Sequence, residues 1–246
     1  MGDRVPTGIS GLDKMLGGGL LRGSVAVVKG APGTGKSSFG IEFLARGIVD
    51  QSEVGLYVTF EEFGEQLYRD AASLGFDFEK FTADGKLKLL FPSPAIFLEM
   101  LQKPGGEFDK LMLENGVSRI VIDSVNNVMN ALCPDDCRDF LYFFINGLRR
   151  HRATTMLVQE DHSLMGDCQM EAHGLCFMAD TLIQLKYVEI KSALERAVFV
   201  VKQRATKHDN KIHSFKITDR GIVIGAPFDG KEGVLSGSPR DTTQCT

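Results

Sequence analysis

Gly30-Ala31-Pro32-Gly33-Thr34-Gly35-Lys36-Ser37 fits G-x-x-x-x-G-K-[ST] at every position. The residue types explain the spacing. Glycines let the main chain turn so sharply that successive N–H groups aim at one centre, which makes an anion nest. A helix opening at Lys36, Ser37 and Ser38 adds the positive end of its dipole. Lys36 then reaches the outer phosphates of a nucleoside triphosphate as a mobile point charge, and the Ser37 hydroxyl can ligate Mg²⁺. By residue frequencies alone the bare pattern arises in roughly one chain in 100 of this length. Context sharpens it, because an apolar strand precedes the loop and a helical pattern follows. The cofactors expected are ATP and Mg²⁺.

Such a loop needs a carboxylate to hold the magnesium shell, normally after an apolar strand, and Ile120-Val121-Ile122-Asp123 supplies Asp123. Phe60-Glu61-Glu62 ends another strand, where a doubly wound sheet presents its ligands. Glu61 and Glu62 are candidates to orient and deprotonate an attacking water. Gln159, ending Thr154–Gln159, is a candidate γ-phosphate sensor; an ordinary exposed glutamine is the alternative.

The elements that must position these groups follow from hydrophobic periodicity. Strands are expected at 24–29, 55–60, 86–91, 119–125 and 154–159. Ile41, Leu44, Ala45 and Ile48 mark a helix packed on the sheet, Leu67, Ala71 and Leu74 a second that stops at Gly75, and Phe140 to Leu148 a third. Strand–helix alternation implies right-handed crossovers and an α/β fold with a mainly parallel sheet flanked by helices. The stretches 179–190, 197–204 and 213–224 leave little room for helices and read as antiparallel strands, with a hairpin at Asp219-Arg220-Gly221. Residues 1–228 are expected to form one domain and 229–246, rich in Gly, Ser and Thr, a mobile tail.

The motifs together resemble one lobe of the KaiC-like branch of the RecA superfamily of ATPases. The lead-in Pro6-Thr-Gly-Ile-Ser-Gly-Leu-Asp13 through Gly19, the Val58-Thr-Phe-Glu61-Glu62 segment, Lys202-Gln-Arg204-Ala-Thr-Lys-His208-Asp209 and Ile217-Thr-Asp-Arg-Gly221 resemble that branch in order and spacing, over residues 3 to 224. The resemblance implies a RecA-like P-loop NTPase core and a ring, usually a hexamer, with ATP between subunits. It also implies a catalytic glutamate pair at Glu61 and Glu62. Lys202 and Arg204 lie two apart on a strand and leave the same face, so they can serve the γ-phosphate of a neighbouring subunit; a solvated basic strand edge is the alternative. One departure concerns self-phosphorylation. The Ser-Thr acceptor pair of the clock protein's phosphorylating lobe falls here on Cys176-Phe177, which offers no hydroxyl. The same motifs would also serve a nucleotide-gated signalling module with a regulatory protein partner, for which turnover well below about 1 s⁻¹ is the mark.

Composition narrows the classes. The 246 residues carry 32 acids and 28 bases, a formal charge of −4. A protein built to grip nucleic acid usually has a basic footprint, so nucleic acid is not an expected partner. No apolar run approaches the ~18 residues of a membrane span. The first residues lack the apolar core of a signal peptide, and the five cysteines are an odd set; a reducing cytoplasm is the expected compartment. Cys133, Cys137, His162, Cys168, His173 and Cys176 do not complete a structural zinc spacing. Arg149-Arg150-His151-Arg152 reads as cations at a helix end. The Phe140, Tyr142, Phe143 and Phe144 cluster reads as core rather than a base-stacking platform.

Overall fold

The computed structural model describes residues 3–61, 64–132, 138–161, 174–229, 231–236 and 240–241. Glu62 and the zinc candidates Cys133, Cys137, His162, Cys168 and His173 lie outside the described residues, as does Cys245. A nine-stranded sheet forms the body. In chain order its parts are β1 (Val25–Gly30), α1 (Lys36–Gln51), β2 (Val54–Thr59), α2 (Gly64–Ser73), α3 (Phe78–Ala83), β3 (Leu87–Leu90), α4 (Pro94–Gln102), α5 (Glu107–Glu114), β4 (Val117–Asp123), α6 (Val125–Leu132), α7 (Arg138–Arg149), β5 (Thr154–Glu160), the turn α8 (Leu175–Met178), β6 (Thr181–Ile190), β7 (Ala193–Gln203), β8 (His213–Thr218) and β9 (Gly221–Pro227).

The spatial order is β9-β8-β7-β6-β1-β5-β4-β2-β3. Strands β6 through β3 in that order are mutually parallel, and β7, β8 and β9 add antiparallel to the far side. The expected architecture, parallel core first and antiparallel edge last, is present. The strand at 181–190 does double duty, parallel to β1 on one side and antiparallel to β7 on the other. Thr218 pairs with Gly221 across the expected two-residue turn.

Strand alternation divides the core between two faces. Ala26, Val28, Tyr57, Val121, Met156 and Val158 join the side chains of α1 and α2 and the lead-in residues Val5, Ile9, Leu12, Met15 and Leu16. Val25, Val27, Leu56, Ile120, Ile122 and Leu157 face α4 to α8 instead. Asp13 fixes the lead-in, accepting from the Thr7 amide at 2.7 Å, the Thr7 hydroxyl at 2.7 Å and the Gly8 amide at 3.1 Å.

Two expectations need adjustment. Of the aromatic cluster, Phe144 is buried and Phe140 stacks on it, but Tyr142 and Phe143 are exposed at 66% and 38%, because α7 buries only one stripe. The basic run is held by acids as well as by its helix end: Arg149 meets Asp180 at 2.8 Å and Arg150 meets Asp109. Val234 is 5% exposed and packs with Val188, Ile190 and Ala197, and Lys231–Glu232 pairs with Arg240–Asp241.

Glu42 links α1 to the C-terminal hairpin. It is 1% exposed, and its Oε2 accepts the Ile222 amide at 2.6 Å. Burial pushes its carboxyl above the ordinary value of 4.5, opposed by that amide and by Arg46. The folded state therefore holds this proton more tightly than the unfolded chain. Its stabilising contribution is complete below pH 4.5 and is lost as pH rises through the raised value. Glu42→Gln, which keeps an acceptor without the charge, should accordingly gain in Tm over the native chain as pH increases from 4.5 to 8. Thermal melts across that window check it; a constant difference would contradict the assignment.

Candidate active site

The loop leaves β1 at the carboxyl end of the parallel strands, where βα connections create a crevice. Gly33 and Gly35 take φ of 76° and 103°, in the left-handed region open to glycine. At Gly35 a Cβ would also come within 2.6 Å of Ile217, so β8 closes the cradle from behind. Among the described residues no side chain caps the first turn of α1, which leaves its N–H groups aimed at the crevice. Ala31 O is the inner anchor of the loop, accepting from Thr34 Oγ1 at 2.7 Å and from Lys36 Nζ at 2.9 Å. Outside, Tyr187 Oη and Arg196 donate to Gly33 O at 2.6 and 3.3 Å. Pro32 and Gly33 are the exposed members of the loop, whereas Ala31 and Thr34 are buried.

Lys36, Ser37, Thr59, Glu61, Asp123, Ser124 and Glu160 line one cleft. On the other side of the loop Gly33, Gly35, Ser37, Ser38, Ile41, Asp70 and Ile217 line a second depression. Asp123 ends β4 beside Thr59, the last residue of β2. Tyr57 Oη donates to Asp123 Oδ2 at 2.8 Å. Burial drives the Asp123 carboxyl upward; hydrogen bonds from Ser37 and Tyr57 and the charge of Lys36 pull it back, and Glu61 adds to the rise. Burial likewise lowers the Lys36 ammonium, against the attraction of Glu160, Asp123 and Asp161. A cation among these carboxylates and an anion at the loop would relieve both desolvated charges. The donor set fits a hard, oxygen-loving cation and a phosphate chain.

Gln159 does not reach the cleft. It is fully buried, and its Oε1 accepts from the Cys176 thiol at 3.6 Å on the face away from α1. The period of two along β5 is the reason: Val158 and Glu160 share the face of the loop helix, and Gln159 takes the opposite one. With Val158 toward α1, the same alternation puts Glu160 in the cleft, a lining acid not among the candidates from sequence. Asn126 holds the backbone there, its Oδ1 accepting the Glu160 amide at 2.7 Å.

Lys202 and Arg204 share a face, as expected, and converge on one acceptor. Lys202 Nζ and an Arg204 guanidinium nitrogen donate to Phe177 O at 3.0 and 3.1 Å, while Gln203 turns away to Gly19 O at 3.1 Å. They stand apart from their own loop. Lys202 pairs with Leu182, beside Val27 of β1, whereas the loop departs beside Leu185 at Gly30. The offset is about 10 Å along the strands, plus two strand spacings across the sheet. Among the described residues, no set of three His, Cys, Asp or Glu side chains is arranged to hold a metal ion, and no helix is long and apolar enough to cross a membrane.

A family model described as "ATPase: KaiC" matches residues 5–228. The chain is 34% identical over 238 residues to the circadian clock oscillator protein KaiC of Parathermosynechococcus lividus, covering 96% of this chain and 43% of that protein. It is 32% identical over 238 residues to the protein of the same name from Picosynechococcus sp., covering 96% and 45%, and 32% identical over 242 residues to that of Rippkaea orientalis, covering 98% and 46%. The chain thus spans less than half the length of these curated relatives.

Proposed function

This chain belongs to the KaiC ATPase family, and we propose that it binds Mg-ATP at the Gly30–Ser37 loop and hydrolyses it within a ring, most simply a hexamer, with each site completed by a neighbouring subunit. The observation that carries this reading is the meeting of Lys36, Ser37, Glu61 and Asp123 in one cleft at the carboxyl ends of parallel strands. Main-chain amides of the loop and of the first turn of α1 bind the phosphates, and Lys36 moves from Ala31 O to the outer phosphate oxygens. Magnesium, when bound, neutralises phosphate charge; Ser37 would ligate it and Asp123 would hold its water shell. Glu61, with Glu62, orients a water for in-line attack on the γ-phosphorus and takes its proton as the bond to the ADP oxygen breaks.

Glu61→Gln/Glu62→Gln should lower kcat by at least about 10²-fold while leaving ATP affinity within about threefold, because a water-orienting group acts in the transition state rather than in binding. Parallel turnover and calorimetric titrations check this; undiminished hydrolysis would remove the role. Lys202 and Arg204, remote from their own cleft, suit a site on the next subunit. Hydrolysis is preferred over self-phosphorylation at Cys176-Phe177, since neither side chain offers a hydroxyl acceptor.

A further inference from the structure

We infer that Tyr57 is a positioning residue for the magnesium site: its hydroxyl engages Asp123 Oδ2 and fixes the carboxylate in the cleft that Lys36 and Ser37 also line. The inference rests on the reading of Asp123 given above. Tyr57 lies on β2 directly opposite Val121 of β4. Residues 121 and 123 share a strand face, so a tyrosine beside Val121 points its ring along that face, and its length brings Oη to Asp123. The ring is fully buried, packed in the core beneath α1 with Val121, Met156 and Val158. Its only polar atom meets Asp123 Oδ2 at 2.8 Å, a charge-assisted contact.

The consequence is geometric. A carboxylate at a strand end can rotate about its Cβ–Cγ bond, and here Lys36 and Ser37 line the same cleft. A donor fixed by core packing removes that freedom by engaging Oδ2 from below. The carboxylate so held lines the cleft together with Lys36 and Ser37. Phenylalanine would fill the same space and the same apolar contacts, so the hydroxyl is separable from the packing. Groups that orient a metal-site ligand typically change metal affinity by about 10- to 100-fold when removed.

The experiment titrates magnesium into the full chain with a fluorescent ATP analogue and reads nucleotide binding, with Mn²⁺ binding followed by electron paramagnetic resonance. Tyr57→Phe should raise the metal concentration for half-maximal effect about tenfold, leave metal-free nucleotide affinity within about twofold, and retain the native Tm to within a few degrees. Substitution of Tyr57 by 4-aminophenylalanine, which keeps a donor at the same place, should restore metal affinity; this variant decides the matter if the phenylalanine form folds poorly. In the Asp123→Asn background, Tyr57→Phe should add no further metal loss. An unchanged metal requirement in Tyr57→Phe, with Asp123→Asn strongly impaired, overturns the role of Tyr57 alone. Metal binding unaffected by Asp123→Asn overturns the underlying site as well.

Discussion

Arg204→Ala should reduce ATP turnover by about 10³-fold or more, the scale at which cations supplied to a developing phosphoryl charge act in other P-loop systems. Lys202→Ala should act in the same direction. The discriminating result lies in mixtures. In the proposed ring one subunit contributes the loop and the next contributes the cations. Subunits carrying Lys36→Ala and subunits carrying Arg204→Ala would be nearly inactive alone, yet a random 1:1 ring would contain about one quarter intact interfaces. Activity should return on mixing to about that fraction of the native rate. Native mass spectrometry verifies that mixed rings have formed; mixed rings without recovered turnover would disprove the shared site. The free protomer gives this test its structural basis, since both cations are engaged by Phe177 O and Arg204 also approaches Asp180 at 3.7 Å. Service to a neighbour requires them to leave that carbonyl.

Lys36→Ala should weaken ATP binding by about 10²-fold and turnover by about 10³-fold. Loss of the ammonium removes the charge that binds the outer phosphates. It also leaves the carboxylates of Glu160 and Asp123 in the cleft without the cation that they attract, whereas Asp161 keeps Lys29 at 3.9 Å, so the cleft turns repulsive to a polyanion. Lys36→Arg should rescue poorly, because a planar fork does not replace a compact point charge in a tight loop. Calorimetric titration with ATP and steady-state turnover measure the two effects. Native-like affinity in Lys36→Ala would contradict the cradle.

Sequence alone determined the phosphate loop, the strand carrying Asp123, the Glu61 strand end and the division into a parallel core and an antiparallel edge. Each of these is local. Glycine spacing fixes a backbone turn, period-two and period-3.6 patterns fix which residues lie inside, and the carboxyl ends of parallel strands meet the crevice wherever the strand sits in the sheet. Tertiary structure decided everything that depends on which strands become neighbours. Tyr57 meets Asp123 only because β2 pairs with β4, 66 positions apart in the chain. Gln159 and Glu160 exchange importance because β5 lies between β1 and β4 with Val158 toward α1, an orientation that adjacent residue types do not encode. The separation of Lys202 and Arg204 from their own loop follows from β7 running antiparallel, which returns the chain to the amino end of β6 before those residues emerge. Propensity acts over a few residues, whereas pairing and facing are settled by burial of the whole sheet at once, and the contact of Tyr57 with Asp123 is decided at that scale.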